Sequence, residues 1–149
     1  MTPIALILGY ALSLAAPQKT ADPTNYVAVV STLQPGETLT LAAGTYVGNL
    51  NLNNLNGTPA AWITIQGPAS GPPAVFLADL WNNTVEIANC SYLAIKRLTL
   101  EGQHLDGPFG ISAHNGLSNV THDILIEGCT IRNYDGGQQT NGISTKTPT

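Results

Sequence analysis

The chain has 149 residues, enough for one domain with a real core. Only 9% of them are charged, against a usual value of about a quarter, and the formal charge is -4 without any basic cluster, which excludes a nucleic-acid partner. In place of charge stand 17 Thr, 13 Asn, 15 Gly and 10 Pro, a mixture suited to short strands and tight turns and poor in helix formers.

The first segment, from Ile4 to Ala16, is apolar, too short to span a bilayer comfortably, and ends in small residues. Ser13 and Ala15 fit the small positions before a cleavage site, so residues 1–16 are expected to be a secretory signal peptide, although no Lys or Arg precedes Ile4. The alternative is an apolar capping segment of the domain. Residues 17–24 read as a short linker, and residues 25–149 as the folded domain.

Within that domain Tyr26–Val30 is a β-rich run, followed by a turn at Leu33–Gly36 and a clean alternation at Glu37–Leu41. Ala42–Tyr46 turns into another strand. Asn49–Leu52 and Trp62–Ile65 alternate again, with a polar loop between them and a Gly/Pro-rich break from Gly67 to Pro73. Ala74–Leu77 and Thr84–Ile87 follow. No helix of ordinary length fits between these punctuation marks.

An ungapped internal repeat closes the chain. Tyr92–Gly102 aligns with Asp123–Asn133 at a spacing of 31, pairing Leu93 with Ile124, Ile95 with Ile126, Leu98 with Cys129 and Leu100 with Ile131. Phe109–His114 then matches Asn141–Lys146 at a spacing of 32. A fixed period of this size with apolar/polar alternation inside each copy predicts a solenoid of β-strands. Stacking the copies puts Lys96 over Glu127 and Glu101 over Arg132, two opposite-charge pairs, as neighbouring positions prefer. Arg97 aligns with Gly128 at a corner and is expected to be solvated.

The opening Leu33–Tyr46 (LQPGETLTLAAGTY) and the later Asn141–Lys146 resemble the right-handed parallel β-helix of the pectate lyase superfamily, including relatives of chondroitinase B and alginate lyase. The resemblance covers roughly Tyr26 to Thr149. It implies an all-β, right-handed parallel β-helix, of which this chain would hold the first coils. The sequence stops at Lys146–Thr149, just after a strand that begins a new coil and without a polar cap, so it reads as the N-terminal part of a longer protein. Export to the extracellular space or periplasm is expected, as is a monomer that leaves the membrane once its signal is removed.

The resemblance also implies chemistry on an acidic polysaccharide. Lyases of this fold cleave a uronate by β-elimination, which needs the substrate carboxylate neutralised by Ca²⁺ or Arg and a base for the adjacent proton. Lys146 is the sharpest candidate base, with His114 as its rung neighbour; the plain alternative is a solvated Lys beside a surface His. Arg132 is the candidate carboxylate clamp, or else the partner of Glu101 in an inter-rung ion pair. For Ca²⁺ the candidates are Asp106 and Asp135, in the Gly-rich loops Leu105–Pro108 and Tyr134–Gly137, although Asp-Gly is equally ordinary turn chemistry. Trp81, Phe109 and Tyr134 are candidate sugar-stacking residues, or loop packing.

Two rivals stand beside the lyase: a non-catalytic surface, adhesion or glycan-binding module, and a glycoside hydrolase of the same fold, which needs clustered carboxylates. The two cysteines add little. Cys129 takes an inward repeat position and Cys90 a turn, leaving a disulfide between them open. Four Asn-X-Ser/Thr sequons, at Asn56, Asn82, Asn89 and Asn119, are adequately explained by chance in so Asn- and Thr-rich a chain.

Overall fold

A computed structural model describes residues 16–115, 120–135 and 143–145. The signal-peptide expectation for residues 1–16 and the assignment of Lys146 therefore fall almost wholly outside the described residues.

The protein is all-β, with parallel strands in three sheets. β1 (Gln18–Ala21), β2 (Thr38–Leu41), β5 (Ile63–Gln66), β8 (Ser91–Lys96) and β11 (His122–Glu127) form the first sheet in that order. The second holds β3 (Gly44–Val47), β6 (Ala74–Leu77), β9 (Leu98–Leu105) and β12 (Thr130–Tyr134). The third holds β4 (Leu50–Asn53), β7 (Val85–Ala88), β10 (Ile111–His114) and β13 (Ile143–Thr145). From β2 onward, consecutive strands enter the first, second and third sheets in rotation. From β5 onward each pairs in parallel with the strand three before it in sequence.

This rotation converts alternation into a core. Leu39, Ile65, Ile95 and Ile126 are register partners in the first sheet, and Tyr46, Phe76, Leu100 and Ile131 in the second. The first three members of each row are fully buried, so Ile65, Ile95, Phe76 and Leu100 each sit between two apolar register partners. The repeat pairings Leu93/Ile124, Ile95/Ile126 and Leu100/Ile131 are register partners, as are Ile111/Ile143 in the third sheet. Lys96 and Glu127 meet at 3.0 Å, and Arg132 and Glu101 at 2.8 Å.

Three sequence expectations change. Residues 17–24 are not only a linker, because Gln18–Ala21 pairs with β2 as the first strand. Tyr26–Val30 is a short helix, α1, despite its three valines. Helical spacing lets Tyr26 and Val30 face inward together, and Tyr26 lies edge-on to Tyr46 at 5.2 Å and to Phe76 at 5.6 Å. Tertiary burial has overridden strand propensity there. Arg97 is half-buried, and its Nη2 donates to Gln66 Oε1 at 2.6 Å. Both cysteines are free, with Cys90 buried and its Sγ directed at the carbonyls of Leu52 and Ala88.

Candidate functional site

The third sheet carries His114 and Glu86, which touches it. In β4, β7 and β10 the inward positions go to Leu50, Leu52, Val85, Ile87 and Ile111, so the alternate residues point out. Asn51, Glu86 and Ser112 are register partners across the three strands, and His114 lies opposite Ala88, one pleat further along. Glu86 and His114 thus become diagonal neighbours on one face.

They are in contact. His114 Nε2 lies 2.5 Å from Glu86 Oε1, and the second carboxylate oxygen accepts from Asn83 Nδ2 at 2.6 Å. Asn83 is itself fixed, since its Oδ1 accepts the backbone N–H of Phe109 at 2.9 Å. His114 Nδ1 faces the carbonyl oxygen of Asn115 at 3.0 Å. Each ring nitrogen therefore faces an oxygen, and these two contacts fix the position of the ring on the outer face.

Beside Glu86 the loop joining β6 to β7 shapes a depression of about 290 Å³ lined by Asn49, Asn51, Trp81, Asn82, Asn83 and Glu86. Asp79 holds this loop: its Oδ1 accepts the backbone N–H of Trp81 at 2.7 Å and of Asn82 at 2.8 Å. The same contacts, that of Trp81 first, keep the Asp79 carboxyl below its ordinary range. Trp81 is 89% exposed.

The other expected residues do not join this cluster. Arg132 is on the second sheet with its Nε committed to Glu101, which also accepts from Asn133 at 2.9 Å. Asp135 lies against His104 at 2.9 Å, while Asp106 is exposed in its turn. Among the described residues no three His, Cys, Asp or Glu side chains converge as a metal site. Asp135, one of the two expected calcium carboxylates, faces His104. Phe109 and Tyr134 are half-buried; the Tyr134 hydroxyl donates to Thr84 Oγ1 at 2.6 Å, and burial pushes it up. Of the three aromatics only Trp81 presents an open ring.

Sequence reasoning missed Glu86. Its strand was recognised, but β7 and β10 are offset by a shorter interval than the repeat that drew attention, hiding its register with His114. The available signal was the alternation Val85-Glu86-Ile87, which directs Glu86 outward on the sheet that holds His114.

No family model matches the chain, and no curated protein matches it in sequence. Among solved structures it is similar to an alginate lyase from Paenibacillus sp. str. FPU-7, with a TM-score of 0.59 and 19% identity over 89% of this chain. The chain spans about half of that protein, 51% of its length. At this identity the likeness establishes a shared polysaccharide-lyase-like fold.

Proposed function

We propose that the protein is an exported right-handed parallel β-helix acting as a polysaccharide lyase, which cleaves a uronate-containing glycan by β-elimination on the outer face of the third sheet. The observation that carries this reading is the His114–Glu86 pair, 2.5 Å apart beside an exposed Trp81, on a fold similar to that of an alginate lyase. Right-handed winding is supported by the near-universal hand of parallel strand crossovers.

In β-elimination a base removes the proton next to the uronate carboxyl, a C4–C5 double bond forms and the C4–O glycosidic bond breaks. The leaving oxygen must receive a proton. His114, held between Glu86 and the Asn115 carbonyl, is placed to supply it, with Glu86 fixing the ring. Lys146 is the proposed base. It follows directly on Thr145, whose register partner is Ala113, the neighbour of His114.

The test is ultraviolet absorbance of the unsaturated uronate when the chain is mixed with pectate, alginate and glycosaminoglycan, with and without chelator. A rising trace that disappears in Lys146→Ala, with the fold retained, is expected. Flat traces on every substrate from folded protein overturn the lyase assignment and favour a glycan-binding module.

A further inference from the structure

We infer that the depression beside Trp81 is a docking subsite for an uncharged sugar residue of a glycan chain. The wall is the indole itself, 89% exposed, with Leu80 beside it 57% exposed. An open aromatic face of this kind stacks on the apolar C–H face of a pyranose ring, and it does so best when held still beforehand. The loop meets that condition. Asp79 accepts two backbone N–H groups, and Asn82 Nδ2 adds contacts to both of its oxygens at 3.1 Å.

The floor supplies what sugar hydroxyls need. A hydroxyl both donates and accepts, and so does a carboxamide. Asn49 and Asn51 line the depression, and neither side chain makes a hydrogen bond to another described residue. Asn83, by contrast, is fully engaged with Glu86 and Phe109 and serves as framework.

Charge selects the class of sugar. None of the six lining side chains is cationic, while Glu86 lies in the lining and Asp79 anchors the loop just behind it. A uronate carboxylate placed here would find no cationic side chain in the lining to pair with, since His114, behind Glu86, is already engaged by that carboxylate, whereas a neutral hexose or pentose needs none. Sugar binding at this subsite stands on its own geometry. Its consequence for substrate rests on the lyase reading: because Glu86 also touches His114, a neutral unit at Trp81 would neighbour the reacting uronate, making the substrate a mixed glycan.

The experiment uses Trp62→Phe in the full chain, leaving Trp81 as the single indole reporter. Fluorescence is titrated with cellohexaose, mannohexaose and xylohexaose, and separately with oligoguluronate. A saturable shift is expected with at least one neutral oligosaccharide, and oligoguluronate should bind at least about tenfold more weakly. By calorimetry on otherwise wild-type protein, Trp81→Ala should weaken the neutral ligand by at least about tenfold and Glu86→Gln should narrow the gap to oligoguluronate. Silence with all three neutral ligands overturns the inference, as does unchanged affinity in folded Trp81→Ala, or equal affinity for oligoguluronate. Neutral binding without cleavage of any uronate polymer retains the subsite and removes the lyase reading; cleavage without neutral binding does the reverse.

Discussion

The two copies of the repeat place the same kinds of side chain at the same register, yet they differ sharply in burial. Leu93, Ile95 and Leu100 in β8 and β9 are fully buried. Their partners Ile124, Ile126 and Ile131 in β11 and β12 are only partly buried and pack against the core from one side. Nothing in the residue types accounts for this. Leu93, Ile95 and Leu100 each have an apolar register partner on both sides, whereas Ile124, Ile126 and Ile131 each have one among the described residues, and the number of partners sets how much a side chain contributes.

The largest effect should come from breaking this contrast at its centre. Ile95 lies between Ile65 and Ile126, so Ile95→Ala leaves a cavity the neighbours cannot fill and should cost about 2–5 kcal/mol. Ile126→Ala, the same deletion at its register partner, should cost roughly 1 kcal/mol, because this side chain is only partly buried. Chemical denaturation of both variants is the check. Equal losses would mean that burial along the stack does not set the energetics.

A second comparison uses backbone contact in place of cavities. A Cβ on Gly67 would sit 2.2 Å from the Arg97 carbonyl oxygen in the middle coil, and one on Gly102 would sit 2.3 Å from that of Asn133 in the last. Both need displacement of a neighbouring strand. Arg97 holds a left-handed φ of 53° and Asn133 one of 57°, so neither carbonyl turns away without further strain, and the Gly102 Cβ would also meet the Asn133 carbonyl carbon and the Tyr134 ring, each at 2.6 Å. Gly67→Ala and Gly102→Ala should therefore each lower the unfolding free energy by about 1–3 kcal/mol. An unchanged melting temperature in either variant would show that the neighbouring backbone yields there without cost.

The same contrast explains what could be read from sequence. Where a repeat ran ungapped, as from Tyr92 to Asn133, strand positions, register and two ion pairs were legible, because the one-residue alternation and the fixed period say the same thing twice. Tyr26–Val30 was misread because its valines prefer strands locally, while its position below Tyr46 and Phe76 rewards a helical turn that buries Tyr26 and Val30 together. Gln18–Ala21 was read as a linker because a first strand of only four residues carries too little alternation to stand out. At the candidate site His114 and Trp81 were legible as residue types. Glu86 was not, since its link to His114 depends on a loop length that shifts the period. That link also changes the chemistry, from a spare base to a ring with both nitrogens committed.

The smallest of the expected effects concerns how the two coils are tied together. Glu101 in the middle coil accepts hydrogen bonds from Asn133 and Arg132 in the last, and these contacts, Asn133 foremost, hold its carboxyl below the ordinary value of 4.5. A carboxyl that binds its proton less readily when folded than when unfolded stabilises the fold above the ordinary value, and that contribution fades as pH falls through the lowered one. Wild-type melting temperature should thus drop on going from about pH 6 to about pH 3 in part through Glu101, and Glu101→Gln should show a shallower drop over the same interval. The pair is largely at the surface, so salt should narrow the difference further. Parallel melting curves for the two proteins would show that the carboxylate does not tie the last coil to the middle one, leaving the stacked apolar rows as the tie between them.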